Sequence, residues 1–345
     1  VAMANGVIAS ALPAPTSARL FGTWQADPFG LVLIAVLGGL YAWGVIRLAR
    51  RGELWSPVRT ALFTLLGLGT IAVATMSSLA VYDRELFWPA AVQNILLDLV
   101  APLGLALGDP LGLARRALPE HGAERLGRAM RGPVVRALTY PLVSTFLVLG
   151  SELVIYFTPY FEAALRDENV HRLMYLQLLG AGSLFVLPML TGEELLPAWC
   201  SHPVRALLVF VDGLVDAVPG IVVMTSGTLI AGDWYRGRSH EWGPSPHQDQ
   251  QLGGGLMLSI AELIGLPFLI AVFIEWLRAE RSRTAELDRR LDAELERVPA
   301  PSAASAPVAS APDAPVAPVA EPELTRPWWE TDQGVIGDRY RRGAP

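Results

Sequence analysis

The chain contains no lysine, and all 27 of its basic residues are arginine. That absence points to base composition in the coding sequence rather than to a phosphate-binding role. There is one cysteine, Cys200, so no intrachain disulfide can form and the redox compartment is not readable from it. Charged residues make up only 17% of the chain against 52% hydrophobic ones, and the mean hydropathy is +0.38, well away from the balance of a soluble domain. No Walker loop, dinucleotide fingerprint, nucleophile triad or zinc motif is present, and with no nucleophile or cofactor loop to place, an enzyme is not expected. A nucleic-acid partner is not expected either. The start, VAMANGVIASALPAPTSARLFG, lacks a basic region ahead of a longer apolar run and does not read as a cleaved signal peptide.

What is present is a set of seven long apolar stretches, at 29–48, 60–81, 88–108, 134–157, 170–190, 203–231 and 250–277. About 20 helical residues cross a hydrocarbon core about 30 Å thick, and only a backbone that satisfies its own hydrogen bonds can sit in lipid. The expected fold is therefore all-α: a polytopic bundle of seven transmembrane helices over 29–277. It is preceded by an extracytoplasmic segment, 1–28, and followed by a charged cytoplasmic helix, 278–297. The lipid bilayer is thus the first expected partner.

Arginine distribution sets the expected orientation. Arg47, Arg50, Arg51 and Arg59 follow the first stretch. Arg115, Arg116, Arg125, Arg128, Arg131 and Arg136 separate the third and fourth, and Arg278, Arg281, Arg283, Arg289 and Arg290 follow the seventh. The alternate loops are poorer in arginine. This predicts a bacterial plasma-membrane protein with its N-terminus outside and its C-terminus in the cytoplasm.

From about Val298 the chain becomes PAPSAASAPVASAPDAPVAPVAEP, too poor in large apolar side chains to build a core and expected to be a disordered spacer over 298–345. Near its end, Trp328 and Trp329 stand side by side among charged residues, a candidate docking motif for a partner or for the membrane interface.

Ionisable residues in a membrane span are costly and usually face a protein interior or cavity. Asn94 and Asp98 lie four apart in the third stretch with Gln93 adjacent, Glu152 lies in the fourth, Asp212 and Asp216 lie four apart in the sixth, and Glu262 lies mid-span in the seventh. His171 opens the fifth stretch, with Tyr175 and Gln177 following. Carboxylates from several helices meeting in one interior would share protons or hold a cation, so the expected polar interior comprises Asn94, Glu152, Asp212, Asp216 and Glu262. The alternative is plain interhelical hydrogen bonding. None of the five histidines pairs with another at helical spacing. Methionines in or near spans, Met174 among them, carry the thioether sulfur that suits Cu(I), although a helical methionine is more often packing.

Several segments, taken in order, resemble one family. They are YAWGVIRLARRGELWSPVRTALFTLLG, MSSLAVYDRELF, VAPLGLALGDPLGLARRALP, YFTPYFEAAL, HPVRALLVF, DQQLGGGLMLSIAEL and EWLRAERSRTAELDRRLD, together covering roughly 22–292. The chain resembles the CtaG-type (caa3-type) cytochrome c oxidase assembly factors, seven-helix membrane proteins implicated in delivering copper to the CuB centre of haem-copper oxidases. The resemblance implies a haem-copper oxidase subunit or another respiratory-chain membrane protein as partner, and copper as the metal.

The departures from that pattern are specific. A His-Met-x-x-His pattern on helix three is here Ala90-Ala91-Val92-Gln93-Asn94, and a His-x-x-x-His pattern on helix five keeps only His171, with Tyr175 in the second place. On helix six a His-Ala-Phe pattern becomes Asp216-Ala217-Val218. The residues left for a metal are His171, Met174 and Asp216. Carboxylate prefers harder cations than Cu(I), so the family's copper site is expected to be incomplete. Three readings follow: an oxidase assembly factor without a full copper site of its own, a diverged scaffold of the respiratory chain, and a small-ion or proton transporter using the intramembrane acids.

Overall fold

The computed structural model describes residues 8–9, 12–191, 195–197, 199–239 and 242–297; the 298–345 tail, with Trp328 and Trp329, lies outside them. The chain forms two units, Val1–Glu286 and Leu287–Pro345, and in the second the described residues, 287–297, are helical.

The first unit is helical apart from a two-residue parallel pairing of Ile8–Ala9 with Arg238–Ser239. Its long helices are α1 (Pro28–Arg50), α2 (Pro57–Tyr82), α3 (Phe87–Leu107), α4 (Pro141–Phe157), α5 (Glu168–Thr191), α6 (His202–Thr225) and, as far as Glu286, α7 (Pro246–Arg297). Six of these are long and apolar enough to cross a membrane. A seventh crossing arises if α4 is joined to the short helix Tyr160–Arg166, which bends from it by 68° at Thr158–Pro159.

Local chemistry sets the ends. Asp27 caps α1, accepting from the Gly30 N–H at 2.7 Å, Pro28 takes the first turn, and Arg47 and Arg50 occupy the last, where they complement the helix dipole. The apolar stretch 134–157 divides because Pro141 disfavours helical backbone at Tyr140; Pro133–Leu138 is a separate short helix. The stretch 203–231 is helical only to Thr225, since Ser226 turns extended and the following loop is held from outside by Gln250.

α3 is the central helix: 89% of its apolar window is buried, against 17% for α1 and 22% for α7. Two glycines let neighbours reach it. A Cβ on Gly104 would overlap the Gly67 backbone of α2, and a Cβ on Gly182 of α5 would overlap the Asp98 carbonyl oxygen. Around α3 the apolar core includes Ile71, Phe87, Leu97, Phe161, Leu178 and Phe185, all at most 3% exposed. Two segments, Leu62–Leu68 in α2 and Leu96–Val100 in α3, are wound as π-helix, a form that recurs at functional positions, and the second carries Asp98.

Candidate functional site

Two sets of buried polar residues stand out, an interior group and a junction at the helix ends. In the interior, Asp98 lies within electrostatic reach of Glu152, Asp216 and Asp212, and Asp212 interacts with Asp216 and Glu152. Three helices (α3, α4 and α6) thus bring four carboxyl groups into one region. Asp98, Glu152 and Asp212 are 3–4% exposed, and Asp216 is half-buried. Thr145 of α4 donates to the Asp212 Oδ1 at 3.0 Å, which ties α4 to α6. One turn along α3 from Asp98, the Asn94 amide donates to the Tyr156 hydroxyl at 2.9 Å. The Gln93 amide donates to the Ala74 carbonyl at 2.7 Å and to the Tyr175 hydroxyl at 2.8 Å.

This network leaves acceptors over. Asp98 Oδ1, Asn94 Oδ1 and Gln93 Oε1 have no hydrogen-bond partner among the described residues. Buried acceptors without donors are costly, and most native ones are matched by protein or water. Carboxyl and amide oxygens that lack donors suit protons, water or a hard cation. No group of three or more His, Cys, Asp or Glu among the described residues is arranged to hold a metal ion, so the four carboxyls share a region without forming a coordination cage.

The junction gathers a second set of polar residues. The His171 Nε2 lies 3.5 Å from an Asp83 carboxylate oxygen, and its Nδ1 lies 3.3 Å from the Ala164 carbonyl. Arg84 forms an ion pair with Glu168. Tyr235 and Trp234 donate to the Asp83 and Arg84 carbonyls at 3.0 and 2.9 Å. Asp249, in the first turn of α7, accepts the Phe87 and Trp88 N–H groups at 2.6 and 3.2 Å, satisfying the free end of α3. Gln250 accepts from the Ile230 N–H at 2.8 Å and donates to the Val223 and Thr228 carbonyls. Burial pushes the Asp83 carboxyl up to about 7, opposed in part by the Arg84 guanidinium.

The structure therefore separates residues that the sequence placed together. Asn94, Glu152, Asp212 and Asp216 share the interior, and Asp98 joins them. His171 does not, because it stands in the first turn of α5, eleven residues and about 16 Å of helix before Gly182, the residue that touches Asp98. Met174, one turn past His171, is 1% exposed within the apolar core. His171, Met174 and Asp216 consequently form no single centre. Glu262 is exposed rather than interior: the buried face of α7 carries Met257, Ala261, Phe268 and Val272, and Glu262 sits one helical step, about 100°, round from Ala261.

Asp83, Asp249 and Gln250 stand at or just beyond the ends of the apolar stretches, where a polar residue draws no notice in a hydropathy pattern. The signal was their position within the DRELF and DQQLGGG segments. The two segments meet in the junction, where Asp249 accepts from Phe87.

Residues 39–279 match the family model described as cytochrome c oxidase caa3 assembly factor. The uncharacterized proteins Mb0105 of Mycobacterium bovis and MT0111 of Mycobacterium tuberculosis are each 30% identical over 287 residues, covering 81% of this chain and 43% of their own length. The uncharacterized protein ML1998 of Mycobacterium leprae is 29% identical, with the same coverage of each chain. The chain thus spans less than half the length of the curated relatives it matches. No solved structure matches it. With a family match running from within α1 to within α7, the chain belongs to the cytochrome c oxidase caa3 assembly factor family.

Proposed function

We propose that this protein is a plasma-membrane factor in the biogenesis of haem-copper oxidases. On this reading it assists formation of the copper-containing oxidase core without holding Cu(I) in a complete site of its own. Membership of the family supports the oxidase role. The single observation that carries the second half is the interior of α3. Ala90 and Asn94 fill the positions where the resemblance expects histidines; both are buried, and Asn94 is committed to Tyr156. The donors available beside them are carboxyl and amide oxygens, which suit Cu(I) poorly. The protein then acts through its fold and its contacts with client subunits, with the N-terminus outside and the C-terminus in the cytoplasm as the arginine pattern predicts.

The test has two arms. Deleting the gene should lower the amount of spectroscopically intact haem-copper oxidase in membranes, and a plasmid copy should restore it; normal oxidase with a full CuB complement in the deletion strain overturns the proposal. In a Cu(I) competition titration the purified chain should bind weakly, and Ala90→His with Asn94→His should bind more tightly. Tight stoichiometric binding by the unmodified chain would return it to the copper carriers. A second reading, proton or small-ion transport, has the cluster of Asp98, Glu152, Asp212 and Asp216 in its favour. Proteoliposome flux abolished by Asp216→Asn would support it.

A further inference from the structure

Glu262 is a carboxylate near the middle of the apolar run 250–277, and it is exposed. It has no hydrogen-bond or ion-pair partner among the described residues, and its surroundings on α7 are apolar: Leu263, Leu266 and Ile270 are 71%, 62% and 50% exposed. A charge left at that depth facing lipid is unfavourable, and intramembrane acids normally find a partner. The same face has the shape of a helix-packing seam. Gly255, Ser259, Glu262, Leu266 and Ile270 follow one another at helical spacing. Ser259 turns its hydroxyl back onto the Gly255 carbonyl at 2.8 Å, which leaves a small-xxx-small step beside the acid.

We propose that this face of α7 docks a transmembrane helix of another protein, one that presents a hydrogen-bond-donating or cationic side chain to Glu262 at mid-bilayer. Charge selects this occupant over a second copy of the chain. A two-fold pair of α7 helices would set Glu262 against Glu262. Lipid alone covers the leucines but leaves the carboxylate unmatched. The inference is independent of the oxidase role, since it rests on what one exposed acid requires in hydrocarbon.

The experiment uses the full chain in phosphatidylcholine bilayers with dilute, fluorescent synthetic transmembrane helices of leucine that carry one central Asn, one central Arg or neither. Energy transfer should show the donor-bearing helices associating about tenfold more tightly than the all-leucine helix, the scale of one interhelical hydrogen bond in lipid. Glu262→Leu should remove that excess, and Glu262→Gln, which still accepts a hydrogen bond, should keep part of it. Glu262 faces outward, so both variants should fold as the parent does. Equal binding of all three helices overturns the proposal. So does full recovery when the carboxylate is moved to another exposed site (Glu262→Leu with Leu214→Glu), because the seam would then be irrelevant. Dimers of the chain that disappear in Glu262→Leu, counted by single-molecule photobleaching, would assign the face to a second copy instead and equally overturn it.

Discussion

α3 and α7 are both apolar enough to cross a membrane, yet they sit at opposite extremes of the bundle. α3 is 89% buried over its apolar window and α7 only 22%. In water the burial of the two would follow hydrophobicity; here the helix carrying Gln93, Asn94 and Asp98 is the enclosed one. In a bilayer the lipid is as apolar as leucine, so hydrophobicity does not drive a helix inward. Polar side chains do, since they must meet one another or water. α3 is central because of its amides and its acid, and α7 is peripheral because little along its apolar run requires a partner. Glu262 is the exception, and it marks the place on α7 where an external partner fits.

The sharpest way to break the contrast is a substitution that adds volume on each side of it. Gly182→Leu should abolish folding of the chain, because even a Cβ there collides with the Asp98 carbonyl and the two backbones would have to separate. Overpacking a close contact typically costs about 1–3 kcal/mol and more where backbone must move. On α7, Gly265→Leu should be close to neutral, since a Cβ there meets nothing within 4 Å. Detergent-solubilised yield and thermal unfolding followed by tryptophan fluorescence distinguish the two. Equal tolerance of both changes would mean that α3 is not the packed centre.

A smaller effect tests how α7 supports α3 from a distance. Asp249→Ala removes the acceptor for the Phe87 and Trp88 N–H groups, and loss of such a cap costs about 0.5–2 kcal/mol. Asp249→Asn should recover part of that loss through its remaining carbonyl oxygen. If alanine and asparagine destabilise the protein equally, the carboxylate acts through charge rather than as a cap. Hydrogen exchange at Phe87 and Trp88 is the direct measurement.

The helix count and most helix ends could be read from the sequence because hydrophobic length, proline and capping residues act locally. Pro28 and Asp27 are visible in one line of sequence, and α1 begins there. The polar interior was partly readable for the same reason: Asn94 with Asp98, and Asp212 with Asp216, share a face by spacing alone. What spacing cannot supply is the rotation of a helix about its own axis. Glu262 and Ala261 are neighbours in sequence, and which of them faces inward depends on how α7 meets the rest of the bundle. Depth along a helix is the other missing quantity. His171 and Asp216 both read as intramembrane polar residues, but His171 stands level with Asp83 at the end of α2, far along α5 from the acid group. The DRELF and DQQLGGG segments were visible as motifs, and only the structure shows them to be one junction, with Asp249 reaching Phe87 across 162 positions of chain.

That junction supports the last and smallest prediction, which concerns pH. Burial raises the Asp83 carboxyl to about 7 from its ordinary value near 4, so the folded protein binds this proton more tightly than the unfolded chain does. By linkage the resulting stabilisation is complete at pH values below the unfolded value and is lost as pH rises through about 7. The groups facing Asp83 include Arg84 and the Gln93 side chain, which oppose the shift, Glu168, which adds to it, and His171, whose Nε2 lies 3.5 Å away. Between pH 5.5 and pH 8 the unfolding temperature should fall by a few degrees. Asp83→Asn, which keeps the shape but cannot ionise, should remove that slope and leave the Asp249 cap untouched. A slope unchanged in Asp83→Asn would place the titrating group elsewhere, and a slope of opposite sign would mean that Asp83 is held as its anion by Arg84. The reversed slope would make the junction an ion-paired clamp rather than a buried hydrogen-bonded one.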